Sequence, residues 1–180
     1  MNFHKLIRDF NQYASKVHVP CQESLLKFQS WCPPHEGWVK INFDAHVGVG
    51  LYRGLGVVIR DDNGKLLIAG VRRVNSNWSV EMCEAATAMF GVELAVRFRY
   101  RYVQLEGDSL TVVRAIENRV EGFSPIHLIY DDIFYLCTSF LDFGCSFVSR
   151  NDNTLAHLVA KWDSGAANEK ICMDSFPKTF

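Results

Sequence analysis

The sequence predicts an α/β domain: a mixed five-stranded sheet, three antiparallel strands followed by parallel additions, with helices on its faces. Three observations lead there. Val39, Ile41 and Phe43 alternate with Lys40, Asn42 and Asp44, the period-two signature of a half-buried strand. Asp61-Asp62-Asn63-Gly64 separates two apolar runs and offers a hairpin turn, because Asn-Gly tolerates the positive φ such turns require. Beyond residue 75 helical and strand patterns alternate, which favours parallel strands joined by crossover helices.

In chain order, Phe3, Leu6, Ile7 and Phe10 share one face of a short amphipathic helix expected over Phe3 to Tyr13. His18, Cys21, Cys32 and His35 combine imidazole and thiol groups, which suits zinc, but their spacing fits no finger pattern. Pro20, Pro33 and Pro34 favour the other reading, an extended linker, so residues 1–36 are taken as an N-terminal extension. Strands follow over Val39 to Asp44, Leu55 to Arg60 and Leu66 to Val74. Asn75 to Ser79 offers several caps for a helix from Val80 to about Arg99. Glu84, Ala88, Gly91 and Ala95 lie along one stripe of that helix. Small residues there allow close approach to the sheet, so Glu84 on that stripe is not an ordinary surface charge. Tyr102 to Leu105 reads as a fourth strand and Leu110 to Arg119 as a helix. Pro125 restarts a helix through about Phe140, with Ile126, Ile129, Ile133, Phe134 and Cys137 as buried positions. Phe143 to Ser149 is the fifth strand and Thr154 to Trp162 the last helix. The core domain is therefore 37–165, with 166–180 a weakly patterned tail.

Composition bounds the function. With 180 residues, 48% hydrophobic and 13% aromatic, the chain can bury a proper core and is not disordered by composition. No apolar run approaches the roughly 18 residues of a membrane span, and no apolar segment follows Met1-Asn-Phe-His-Lys5, so the expectation is an intracellular protein, nuclear or cytoplasmic. A formal net charge of -1 supplies no global basic field, so any nucleic-acid contact must use local patches. The six cysteines form no Cys-x-x-Cys, and most are expected as packed thiols.

Asp44 at the end of the first strand, Glu84 on the first long helix and Asp108 at the end of the fourth strand are placed to converge. Several carboxylates at one point suit a pair of divalent ions roughly 4 Å apart, and magnesium in particular, since it takes few carboxylates and keeps waters for a phosphate. Taken singly each acid has a plainer reading: Asp44 a turn acid, Glu84 a salt-bridge partner, Asp108 a helix cap.

Several blocks, in order, give the stretch from Trp38 to Trp162 a specific likeness. They are Trp38-Val-Lys-Ile-Asn-Phe-Asp44-Ala, Gly54-Leu-Gly-Val-Val-Ile-Arg-Asp61 with Asn63-Gly64, and Cys83-Glu84-Ala-Ala-Thr-Ala88 with Gly91 and Ala95. Leu105-Glu-Gly-Asp108-Ser109 with Val112 and Val113, and Val148-Ser-Arg150-Asn-Asp-Asn153-Thr-Leu-Ala156-His157, complete the set. This stretch resembles the ribonuclease-H-like domain of the plant reverse-transcriptase-like family. The resemblance implies the ribonuclease H fold and hydrolysis of the RNA strand of RNA·DNA hybrids with two Mg2+ ions. It matches Asp44, Glu84 and Asp108 to the family's metal-binding acids, puts His157 among the catalytic positions, and makes Asn153 a substrate contact.

This chain departs from that pattern in three places. His157 stands where the fourth acid belongs. Imidazole is a poorer ligand for magnesium than carboxylate, so one subsite is weakened or Mn2+ is tolerated better. His157 also reads as a general acid toward the leaving oxygen, or as a helix-surface histidine. The loop before the last helix, Ser149 to Asn153, carries Arg150 in place of the family's usual histidine. Arg150 reads as a phosphate contact or as a solvated charge. Finally, residues 110–140 hold only Arg114 and Arg119 as positive charges, against Glu117, Glu121, Asp131 and Asp132, so the basic insertion that some ribonucleases H use to grip hybrids is missing.

Other basic positions are ambiguous. Arg97, Arg99 and Arg101 interleave with Tyr100 and Tyr102, which suits a helix C-terminus as well as a nucleic-acid surface. Arg72-Arg73 is similar. Two functional readings stand: a metal-dependent RNA·DNA hybrid endonuclease, or a nucleic-acid-binding or interaction module that keeps the fold with weak or no cleavage. A 3′–5′ exonuclease is disfavoured, because Asp44-Ala45-His46 lacks the Asp-x-Glu pair such enzymes carry. A protein partner acting through residues 1–36 fits either reading.

Overall fold

Alternation in the first strand sets up a sheet with one apolar and one mixed face. This computed structural model describes residues 31–163 and 167–173. The strands are β1 (Val39–Val47), β2 (Tyr52–Arg60), β3 (Leu66–Asn75), β4 (Tyr102–Gly107), β5 (Asp142–Phe147) and β6 (Glu169–Met173). The helices are α1 (Val80–Arg97), α2 (Leu110–Glu117), α3 (Pro125–Cys137) and α4 (Thr154–Ala160). The sheet order is β5-β4-β1-β2-β3-β6. β1, β2 and β3 are antiparallel neighbours, while β4 joins β1 and β5 joins β4 in parallel, as the crossover pattern predicts.

The sheet has six strands rather than five. The sixth, β6, comes from the stretch expected to be a tail and pairs antiparallel with β3. Its sequence, Glu-Lys-Ile-Cys-Met, buries only Cys172, so it carries little periodicity to read. Arg72 on β3 fastens it, reaching Glu169 and Glu93 of α1 at 2.8 Å each. That pairing, with Arg97 also reaching Glu169 at 3.5 Å, gives Arg72 and Arg97 structural partners.

Ile41 and Phe43 of β1 face a core shared with Val57 of β2, Leu105 of β4 and the inner faces of α1, α2 and α3. Ser79 caps α1, its hydroxyl accepting from the Met82 N–H. Gly91 lets α1 sit close: a Cβ there would lie 2.7 Å from Ile41 Cγ2. On α3, Tyr130, Ile133 and Cys137 are buried while Ile126, Ile129 and Phe134 pack partly against the core. The opposite face holds a smaller core in which Leu155, Ala156 and Val159 of α4 meet Val58, Ala69 and Val71. There Gly54 and Gly56 let α4 rest on the sheet backbone, since a Cβ at Gly56 would come within 2.2 Å of Ala160 N.

The boundary of the N-terminal extension also shifts. Residues 31–36 are not free linker: Trp31 and Cys32 lie against β1, and the adjoining Gly37 N–H donates to Asp62 at 2.6 Å. The expected helix over Phe3 to Tyr13, and His18 and Cys21, lie outside the described residues. Cys32 is disulfide-bonded, which leaves no thiolate there for zinc. Cys83, Cys137, Cys145 and Cys172 are free thiols, as expected. Among the described residues no helix is long and apolar enough to cross a membrane.

Candidate metal centre

The β1–β4 ladder ends at the pair Phe43↔Gly107. The next residue along each chain segment is an acid, Asp44 within β1 and Asp108 just past β4, standing where the ladder opens. Glu84 reaches the same opening from α1, whose close seating on the sheet follows from the small residues of its stripe. One ligand oxygen from each of Asp44, Glu84 and Asp108 lies within 4.8 Å of the others. The three acids expected to converge from separate elements are brought together.

Their electrostatics are those of crowded like charges. Burial, and then Asp44 and Asp108 beside it, push the Glu84 carboxyl up to about 8. Burial also pushes Asp44 up to about 6, with Asp108 adding to the rise while the hydrogen bond and charge of His157 and the charge of Arg150 oppose it. Glu84 Oε1 accepts a long hydrogen bond from the Ala45 N–H, at 3.4 Å, and Oε2 is buried with no partner. An orphaned carboxylate oxygen inside a cluster of acids is costly unless something positive meets it. The donor set is all hard oxygen, and it fits a divalent cation.

His157 is not a helix-surface residue. It sits on α4 with its side chain 26% exposed, and Nδ1 lies 2.9 Å from Asp44 Oδ2. With Asp44 ionised, the Nδ1–H donates to it. That nitrogen is thereby engaged, and His157 is not one of the ligand atoms that cluster. Asn153 is 1% exposed. Its amide donates to the Phe43 carbonyl at 2.8 Å and to Asp108 Oδ1 at 3.2 Å, so the side chain ties the start of α4 to β1 and to an acid of the cluster. The Asn153 Nδ2 is thus engaged inside the fold, while its Oδ1 is buried with no partner. Arg150 is exposed in the turn before α4, close enough to lower both Asp44 and Glu84.

Sequence reasoning missed a second group of basic residues. His46, Gly54 and Arg73 lie in one row across β1, β2 and β3. Arg73 donates to the Ala160 carbonyl at the end of α4 and stacks 4.8 Å from the Tyr52 ring. Burial, and then the charges of Lys161, Arg73 and His157, hold His46 below its ordinary value, so these groups are neighbours. The period-two placement of His46 two residues past Asp44 was the available signal; Lys161 was invisible until α4 was docked.

Sheet order, helix placement and an acid cluster at the opening of the central parallel pair define the class: a ribonuclease-H-like fold. Solved structures agree. RNase H1 from the halophilic archaeon Halobacterium salinarum superposes with a TM-score of 0.63 at 21% identity, over 68% of this chain and 94% of that one. The N-terminal RNase H domain of rv2228c from Mycobacterium tuberculosis gives 0.61 at 22% identity, over 68% and 89%. LC11-RNase H1, solved in complex with an RNA/DNA hybrid, gives 0.59 at 17% identity, over 67% and 92%. At these identities the likeness establishes the fold. No curated protein matches the chain. The family model described as reverse transcriptase-like matches residues 42–163, and the chain belongs to that family.

Proposed function

We propose that the protein is a divalent-metal-dependent endonuclease of ribonuclease H type that hydrolyses the RNA strand of RNA·DNA hybrids. The observation that carries this is the convergence of Asp44, Glu84 and Asp108 from three elements, with one buried Glu84 oxygen left unpaired. Asp44, Glu84 and Asp108 are the residues that would hold the metal, with two Mg2+ ions expected and Mn2+ as an alternative. Divalent ions held there would supply activation of a water for in-line attack on the phosphate and offset of charge on the leaving oxygen. To hold a cation the acids would have to be ionised, so Glu84 and Asp44, both raised in the metal-free fold, would release their protons.

The chain's own groups orient that centre. His157 Nδ1–H steadies Asp44, and its imidazole is placed to move a proton at that carboxylate. Asn153 holds Asp108 and the β1 backbone in fixed relation. Arg150 is exposed beside the acids, where a guanidinium can meet a phosphate oxygen. The relative solved with an RNA/DNA hybrid supports the substrate class by fold analogy.

A second reading has its own support. His157 occupies the position where a further acid is expected, and the α2–α3 region carries few cations. On this reading the protein binds hybrid and cuts it weakly or not at all. Purified protein incubated with RNA·DNA hybrid, RNA duplex and DNA duplex, in Mg2+ or Mn2+, separates the two. Hybrid-selective cleavage that is lost in Asp44→Asn is the expected result. Hybrid binding without cleavage in either metal decides for the binding module. His157→Asp is expected to raise the Mg2+-supported rate, because it adds a hard oxygen to the acid set.

A further inference from the structure

On the same face of β1 as Asp44, one and two pleats back, lies a buried polar tier. Lys40 and Arg60 face each other across β1 and β2, and Asn42 faces Glu106 across β1 and β4. Their exposures are 4% for Lys40, 0% for Asn42, 4% for Arg60 and 6% for Glu106. Arg60 Nη2 donates to Asn42 Oδ1 at 2.7 Å, and the Trp31 indole N–H donates to the same oxygen at 3.1 Å. Asn42 Nδ2 in turn donates to Glu106 Oε2 at 2.8 Å. Lys40 Nζ donates to Glu106 Oε1 at 3.0 Å and to the Cys32 carbonyl at 2.7 Å. The Arg60 guanidinium carbon lies 3.4 Å from the centroid of the Trp31 ring, a stacked contact.

Charged groups this deep are not the cheapest way to stabilise a sheet; apolar residues of similar volume serve as well or better. What a hydrogen-bonded buried network contributes is a single geometry, since displacing its members breaks bonds between polar atoms in low dielectric. Position says what that geometry serves. Asn42 and Glu106 each stand two residues before an acid, on strands whose ladder ends at Phe43↔Gly107. Past that pair no backbone hydrogen bond joins β1 to β4 in the ladder, while Asp44 and Asp108 repel one another and Glu84.

We propose that Asn42, Glu106, Arg60 and Trp31 form a positioning tier for the metal centre. By clamping β1 to β4 just below the opening, the tier holds Asp44 and Asp108 at a spacing one ion can bridge, and Trp31 is its latch. The segment before β1 is thus a working part of the site. This deepens the reading above and rests on it for the role of the ion.

The test uses the full chain and its variants Trp31→Ala, Trp31→Phe and Glu106→Gln. Three quantities are read: the thermal midpoint, the Mn2+ dissociation constant by calorimetry, and the carboxyl 13C shifts of Asp44 and Asp108 without metal. Trp31→Ala is expected to keep its circular dichroism, to weaken Mn2+ about tenfold, as loss of outer-shell support does, and to move both carboxyl resonances. Trp31→Phe keeps a ring over Arg60 and is expected to recover most of the affinity. A lowered midpoint with unchanged Mn2+ affinity and unchanged carboxyl shifts overturns the proposal and leaves a stability role. Should Trp31→Ala not fold, Glu106→Gln, which keeps size and loses the charge facing Lys40, carries the same comparison. If the unaltered protein binds no Mn2+, the metal reading fails by itself. The carboxyl shifts then decide the tier: moved in the variants, it stands; unmoved, it falls.

Discussion

Glu84 carries the sharpest electrostatic signature at the scale of single residues. Its carboxyl, ordinarily near 4.5, is pushed up to about 8 in the fold, through burial first and the neighbouring acids second. Below about 4.5 the group is protonated in both folded and unfolded chains, so its folded environment costs nothing. As pH rises the unfolded chain releases the proton first, and metal-free stability falls until pH passes the folded value near 8. Asp44, raised from 3.8 to about 6, acts in the same direction over a lower window. Thermal melts across this interval are expected to show a midpoint that declines with pH in the metal-free protein. Glu84→Gln is expected to flatten that decline. Saturating Mn2+ is expected to lift the alkaline end of the curve, because the ion binds only the ionised, folded cluster.

Among elements, α4 decides most. It brings His157 to Asp44, Asn153 to Asp108 and Lys161 to the basic row, and it is seated by Gly54 and Gly56. A Cβ at Gly56 would lie 2.2 Å from Ala160 N and 2.5 Å from Ala160 Cα, both backbone atoms that cannot swing away. Gly56→Ala is therefore expected to cost about 3 kcal/mol, the upper range of overpacking, measured by urea unfolding. It is also expected to lengthen the His157–Asp44 contact, seen as a shifted His157 ring resonance. The same element carries the nucleic-acid prediction. Arg150 is close enough to lower Asp44 and Glu84, and Arg73 and Lys161 lie beside His46 on β3 and at the end of α4, rather than on α2 and α3. Lys161→Glu is expected to weaken hybrid binding more than Arg114→Glu does. It is also expected to lower the salt dependence of binding, as measured by titration at several salt concentrations.

At the scale of the whole molecule, the two edges of the sheet are β5 and β6, and β6 protects β3. Deleting residues 167–180 removes the β3 pairing, the burial of Cys172 and the Glu169 partner of Arg72 and Arg97. The truncated chain is expected to unfold at lower urea and to self-associate through the bared β3 edge, read by light scattering. The domain thus extends past both boundaries drawn from pattern alone. At one end Trp31 covers the polar tier, and at the other β6 completes the sheet.

The sequence by itself determined the local layer of this protein. Alternation placed β1, the Asn-Gly turn joined β2 to β3, and helical stripes with small residues marked α1 as the helix seated on the sheet. Strand–helix alternation then implied the parallel additions, so the fold class and the three acids were legible. What the tertiary structure alone decided is non-local. His157 meets Asp44 across 113 positions, and Asn153 reaches Phe43 across 110. Arg72 finds Glu169 across 97, recruiting a strand that buries one residue and so leaves no pattern. Periodicity reports which face a side chain takes within its own element. Which distant element covers that face is set by how glycines, buried charges and strand registers fit together once the chain has closed on itself.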